Sequence, residues 1–212
     1  GYWQNSETLF RHTIAVTDRN YIAHNCLGSA LSQKGKTEEA LTHYYKALEI
    51  SPKNDITHNN MGNTLMLLGR LYEAVASYRR AIELNPLNAN AFTNLADALS
   101  QQGKLDQAAN FYHRALQIDP DFAKAHCNLG NLLQSQGKVD EAIEQYNQAL
   151  SIDPKLIEAH YNLADAFLSQ GRPDDAIKRY NCILELRPDY AEVHNNLGAV
   201  LQRQGKLEDA IG

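Results

Sequence analysis

Two columns of side chains in this sequence carry types and spacings that bear on chemistry. Histidine stands at His24, His58, His126, His160 and His194, and asparagine at Asn60, Asn94, Asn128, Asn162 and Asn196, always 34 residues or a multiple of 34 apart. Clustered imidazoles bind metal ions or move protons, and an amide presents a donor and an acceptor together. The histidines cannot share a metal. If each interval holds two packed helices, equivalent positions lie roughly 16–20 Å apart, whereas a ligand nitrogen sits about 2 Å from its ion. They read as partly buried packing residues, and Phe92 takes their place in one interval. The segment ALSQKGKT, residues 30–37, is one glycine short of a phosphate-binding loop and does not follow a strand. Acidic pairs at Glu38 and Glu39, Asp140 and Glu141, and Asp174 and Asp175 suggest acid–base work. They recur where a helix begins, however, and there carboxylates complement the helix dipole. Cys26, Cys127 and Cys182 fall in three different intervals with no metal-type pairing. No catalytic residue, metal site or cofactor is expected, and the chain reads as non-enzymatic.

The asparagines call for a different account. Asparagine is a mediocre helix former, yet it recurs at mid-helix in five successive intervals, with Cys26 interrupting the column only in the first. In the fourth, Lys124, Asn128, Asn131 and Ser135 are spaced by four, three and four and so share one helix face. Beside the asparagine column runs a second, Asn63, Asp97, Asn131 and Asp165, flanked by Ser29 and Ala199. Two readings stand open. The amides bridge neighbouring helices as a structural ladder, or they line a groove and pair with the C=O and N–H groups of an extended peptide. The candidate peptide-binding residues are therefore Asn60, Asn94, Asn128, Asn162, Asn196, Asn63, Asp97, Asn131 and Asp165.

The elements that must position these residues follow from the same interval. Four further columns keep it: Pro52, Pro86, Pro120, Pro154 and Pro188; Gly35 through Gly205; Ala40 through Ala210; and Tyr44 through Tyr180. Full units span 21–54, 55–88, 89–122, 123–156 and 157–190, while 1–20 and 191–212 read as the second and first parts of cut units, in one domain over 1–212. In the third unit Ala91, Leu95, Ala98 and Leu99 have helical spacing, which predicts a helix A ending at Gly103 in a left-handed cap. A helix B is predicted over Leu105–Ile118, with Ala108, Tyr112, Ala115 and Leu116 on one side. Asp119 and Pro120 predict the N-cap and first residue of the next helix A. Such a unit is too short to bury its own apolar face, so each leans on the next. Cut ends would expose apolar surface, so end-to-end self-association is also expected.

Composition narrows the partners. A net charge of -5 lacks the basic excess that phosphate binding requires, so nucleic acid is not expected as a partner. No apolar run approaches the roughly 18 residues of a membrane-spanning helix, so this segment itself should make no membrane contact. The three unpaired cysteines lean toward a reducing compartment.

The glycine, tyrosine, alanine and proline columns resemble the tetratricopeptide repeat over essentially the whole chain. That resemblance implies an all-α, right-handed solenoid of antiparallel helix pairs, with the A helices lining a concave face that binds a protein or extended peptide. The strings N-L-G-N and N-L-A-D on helix A are similar to the superhelical repeats of the O-linked N-acetylglucosamine transferase family, where such asparagines hold substrate backbone. Carried over, the ladder is Asn60, Asn94, Asn128, Asn162 and Asn196; beside the free-standing scaffold two alternatives stand, that the chain is the substrate-docking part of a larger glycosyltransferase, or that it is an architectural array that self-associates through its end faces. Another branch clamps C-terminal carboxylates with Lys and Arg; here those positions hold Asn25, Asn59, Thr93, Cys127, Tyr161 and Asn195, so that clamp is missing. The start, YWQNSETLF through Asn20, resembles the junction of membrane-anchored proteins with such repeats, which would place Trp3 near a membrane surface.

Overall fold

The computed structural model describes residues 6–205, so the expectations for Trp3 and Ala210 lie outside the described residues. Among them are twelve α-helices and no strand, in two compact units, Gly1–Ile118 and Asp119–Gly212. The first unit holds α1 (Ser6–Val16), α2 (Tyr21–Gln33), α3 (Thr37–Ile50), α4 (Asp55–Leu67), α5 (Leu71–Leu84), α6 (Ala89–Gln101) and α7 (Leu105–Ile118). The second holds α8 (Ala123–Ser135), α9 (Val139–Ile152), α10 (Ile157–Ser169), α11 (Pro173–Leu186) and α12 (Ala191–Arg203). Even-numbered helices are the A helices and odd-numbered ones the B helices. Within each unit the A helices α2, α4, α6, α8 and α10 each pack on the B helix that follows, B packs on the next A, and neighbouring A helices α2, α4 and α6, or α8 and α10, also touch.

Each pair is joined by one turn chemistry. Gly35, Gly69, Gly103, Gly137, Gly171 and Gly205 all have φ between 69° and 76°, a region costly for residues with a Cβ. After α2, Gly35 N–H donates to Ser32 O and Lys36 N–H to Leu31 O, both at 2.9 Å. This is the double-bonded left-handed cap, which satisfies carbonyls that a helix end would otherwise orphan.

The turn from B to the next A differs from the sequence expectation. Pro120 does not open α8, which begins at Ala123 with Phe122 at the N-cap. Asp119 instead accepts from Asp121 N–H at 3.2 Å, as Asp153 does from Lys155 N–H at 3.0 Å, closing a side-chain turn around the proline. The true N-caps of α2, α4 and α6 are Asn20, Asn54 and Asn88, whose side chains accept from the backbone N–H three residues on.

Packing follows the columns. Ala40, Ala74, Ala108, Ala142 and Ala176 are fully buried, and the small side chain lets A and B backbones approach. Tyr44, Tyr78, Tyr112, Tyr146 and Tyr180 are also buried, and three press on glycine: a Cβ on Gly28, Gly62 or Gly130 would meet the ring at 2.5–2.7 Å. The equivalent positions in α6 and α10 are Ala96 and Ala164, likewise buried.

Candidate peptide-binding face

The asparagine column lies half-buried on the A helices, at Asn60, Asn94, Asn128, Asn162 and Asn196. Four of these amides have a defined tie to the preceding A helix of their unit. Asn60 Nδ2 donates to Asn25 Oδ1 at 3.3 Å, Asn94 Nδ2 to Asn59 Oδ1 at 3.0 Å, and Asn196 Nδ2 to the Tyr161 hydroxyl at 3.0 Å. Asn162 Nδ2 lies 2.7 Å from Asn131 Oδ1 and 3.9 Å from Cys127 Sγ. The acceptors Asn25, Asn59, Cys127 and Tyr161 occupy the positions where a carboxylate clamp would carry lysine or arginine. The sequence shows that those positions lack basic residues but not that they accept from the ladder. Among the described residues no donor reaches Oδ1 of Asn60, Asn94, Asn162 or Asn196.

The second column is tied to the tyrosines, a role the sequence did not reveal. Tyr78 OH donates to Asn63 Oδ1 at 2.8 Å, Tyr146 OH to Asn131 Oδ1 at 2.8 Å and Tyr180 OH to Asp165 Oδ1 at 3.0 Å, and Tyr112 OH pairs with Asp97. Each bond spans 15 residues, from helix B to its own helix A, so it fixes which way the A-helix side chain turns. Asn63 is exposed, and Asp97, Asn131 and Asp165 are half-buried. Burial raises the Asp165 carboxyl above its ordinary value, against the opposing bond from Tyr180. Burial also pushes the thiol of Cys127 up to about 12, which leaves it protonated at neutral pH.

The histidines are half-buried or exposed apart from His160, which is buried, and four share a contact. Nε2 of His58, His126, His160 and His194 lies 2.7–3.1 Å from the carbonyl of Pro52, Pro120, Pro154 and Pro188 respectively. They hold the turn before their own helix. His24 instead stacks on His43, with Nδ1 atoms 3.0 Å apart. Among the described residues no group of three or more His, Cys, Asp or Glu side chains could hold a metal ion. Residues 30–37 run from the end of α2 through Gly35 into α3, a helix–turn–helix path. The acidic pairs sit in the first turns of α3, α9 and α11, as their dipole role requires. No helix of the described residues is long and apolar enough to cross a membrane.

In the second unit a cavity of about 360 Å³ opens beside the ladder, lined by Asn162 and Tyr161 of α10 and by residues of the turn into α12. Within each unit the amides thus recur on successive A helices, Asn60 and Asn94 in the first and Asn128, Asn162 and Asn196 in the second, with the cavity beside Asn162.

No curated protein sequence matches the chain. Solved structures resemble it. The structure of MamA is 29% identical, with a TM-score of 0.66 over 78% of this chain and 97% of that one. TTC0263, a thermophilic TPR protein of Thermus thermophilus, is 25% identical, with a TM-score of 0.74 over 86% of this chain and 100% of that one. YrrB, described as a TPR protein with an unusual peptide-binding site, is 22% identical, with a TM-score of 0.61 over 88% and 96%, a likeness that shows the fold alone. The family described as "TPR repeat" matches at residues 28–69, 62–103, 96–137, 130–171 and 164–205. With that register over most of its length and the paired helices that fill it, the chain belongs to the tetratricopeptide repeat family.

Proposed function

We propose that the chain is a protein-interaction scaffold, without catalysis of its own, whose A-helix amides hold the backbone of an extended peptide or protein segment. The observation that carries this reading is the division of labour within each amide. One N–H of Asn60, Asn94, Asn162 and Asn196 is spent on the neighbouring A helix, while Oδ1 has no donor among the described residues. The tie fixes the side chain before a partner arrives, which reduces the ordering cost of binding. What remains, an acceptor on each of the four and a second N–H at Asn60 and Asn94, matches the N–H and C=O of an extended backbone. Asn63 and Asp97 in the first unit and Asn131 and Asp165 in the second, oriented by the tyrosines, stand on the same A helices as these amides. Amides that contribute a net of about 1 kcal/mol each, against the ordering of a flexible peptide, support affinities on the order of micromolar. Backbone pairing makes the sequence preference broad.

The test is a peptide array probed with the purified chain and with a variant in which Asn94, Asn128 and Asn162 are all alanine. Binding to many unrelated extended peptides, lost in the variant, is the expected result. Equal binding by both proteins removes the amides from the site, and no binding by either removes the peptide.

A further inference from the structure

The cavity beside Asn162 has a chemistry of its own. Its walls include two aromatic rings, Tyr161 of α10 and Tyr190 of the turn before α12, and two carboxylates, Glu158 and Glu192, in the first turns of those helices. The Tyr161 hydroxyl is held on both sides, donating to Glu192 Oε1 at 2.9 Å and accepting from Asn196 at 3.0 Å. Glu192 is thereby aimed, yet it is paired with no cation among the described residues, and neither is Glu158. Arg187 also lines the space, but its guanidinium lies over the Tyr190 ring, 4.9 Å from the centroid. That contact shows the wall accepting a planar cation, and it leaves both carboxylates open. The other basic side chains on these A helices are elsewhere: Lys124 is on α8 and Arg203 is in the last turn of α12.

We infer that this cavity receives a lysine or arginine side chain of the bound segment, and that the partner is therefore a basic extended segment. The inference rests on the peptide-holding role of the amides. Asn162 lines the same cavity, so a backbone paired to its amide carries a neighbouring side chain into the space. An extended chain advances about 3.3 Å per residue and turns alternate side chains to one face. A long aliphatic stem packs on Tyr161 while its charged end reaches Glu158 and Glu192. An acidic side chain would meet two like charges at the same point, and an apolar one would strip water from unpaired carboxylates.

The experiment compares three labelled extended peptides, identical except for a central lysine, glutamine or glutamate, titrated by fluorescence anisotropy at low salt. They are titrated against the unmodified chain and against E158Q/E192Q and R187A variants. Both glutamates are exposed, and glutamine retains the acceptor for Tyr161, so circular dichroism should show unchanged helix content. The lysine peptide is expected to bind about fivefold more tightly than the glutamine peptide, the scale of two exposed ion pairs, with the glutamate peptide weakest. E158Q/E192Q should abolish that order without weakening the glutamine peptide, and R187A should widen it. If the three peptides bind the unmodified chain equally, the basic-side-chain pocket is overturned while the amide reading stands. If none of them binds, both are overturned.

Discussion

Asn162→Ala separates a side chain that ties helices from one that binds a partner. The structural loss is the 2.7 Å bond to Asn131 Oδ1 and the 3.9 Å approach to Cys127 Sγ. A neutral hydrogen bond of this kind contributes a net of about 1 kcal/mol. Asn131 is not orphaned by the change, because its Oδ1 still accepts from Tyr146 OH at 2.8 Å. The Cys127 thiol loses only a weak partner. Against this, alanine is favoured over asparagine in a helix interior by about 0.6 kcal/mol. The variant should therefore be destabilised by about 0.5 kcal/mol, or about 1–2 °C in a chain of this size. Binding should respond more strongly. In the proposed role the amide supplies its acceptor to the peptide, one neutral bond worth about 1 kcal/mol, so affinity should fall roughly fivefold. Urea unfolding followed by circular dichroism and anisotropy titration of one neutral peptide measure the two effects in the same preparation. A loss of stability of about 2 kcal/mol or more would refute the reasoning, since the amide would then be chiefly a tie between helices. So would unchanged affinity, since the amide would then touch no peptide.

Two other expectations test the packing beneath this face. Gly130→Ala places a Cβ 2.6 Å from Tyr146 Cε1, yet Ala96 and Ala164 occupy the equivalent place while Tyr112 and Tyr180 stay buried. The ring can therefore yield, and with the helix-propensity gain the unfolding free energy from urea melts should change by no more than about 1 kcal/mol; Gly130→Leu should cost several times as much. Burial lowers the imidazoles of His24, His43 and His58 below 6.5; nearby Lys46 adds to this at His24, His24 and Lys46 at His43, and at His58 the Pro52 carbonyl opposes it. A lowered folded-state value means the unfolded chain takes up protons first, so stability is full above 6.5 and is lost as the pH falls below it. Thermal melts between about pH 8 and pH 5 should show this decline. His43→Gln should reduce it, because the equivalent pair His126 and Gln145 already bonds at 2.8 Å in α8 and α9. An equally steep decline in that variant would place the titration elsewhere.

What the sequence makes legible here is whatever repeats along the chain. Gly103 announces the left-handed cap because no other residue type tolerates that backbone as readily, and Leu105–Ile118 is found as the helix that its apolar spacing predicts. What stays hidden depends on how one helix lies across another. Both the tyrosine and the Asn/Asp columns are visible, but the bond between Tyr180 and Asp165 spans 15 residues and exists only once helix B crosses helix A at the packed angle. Pro120 misleads for a related reason: a proline after aspartate fits both a helix start and a side-chain turn, and only the path of the chain into Ala123 decides between them. The asparagines show why two readings from sequence need not compete. A primary amide has two N–H donors and an acceptor with two lone pairs. Asn94 uses one donor on Asn59, so the bond that ties neighbouring A helices also fixes where its acceptor points. Under the proposed function a structural ladder and a binding ladder are one set of side chains. The physical question becomes how much of each amide's free energy goes to the fold and how much to the peptide, which the paired stability and affinity changes of Asn162→Ala measure directly.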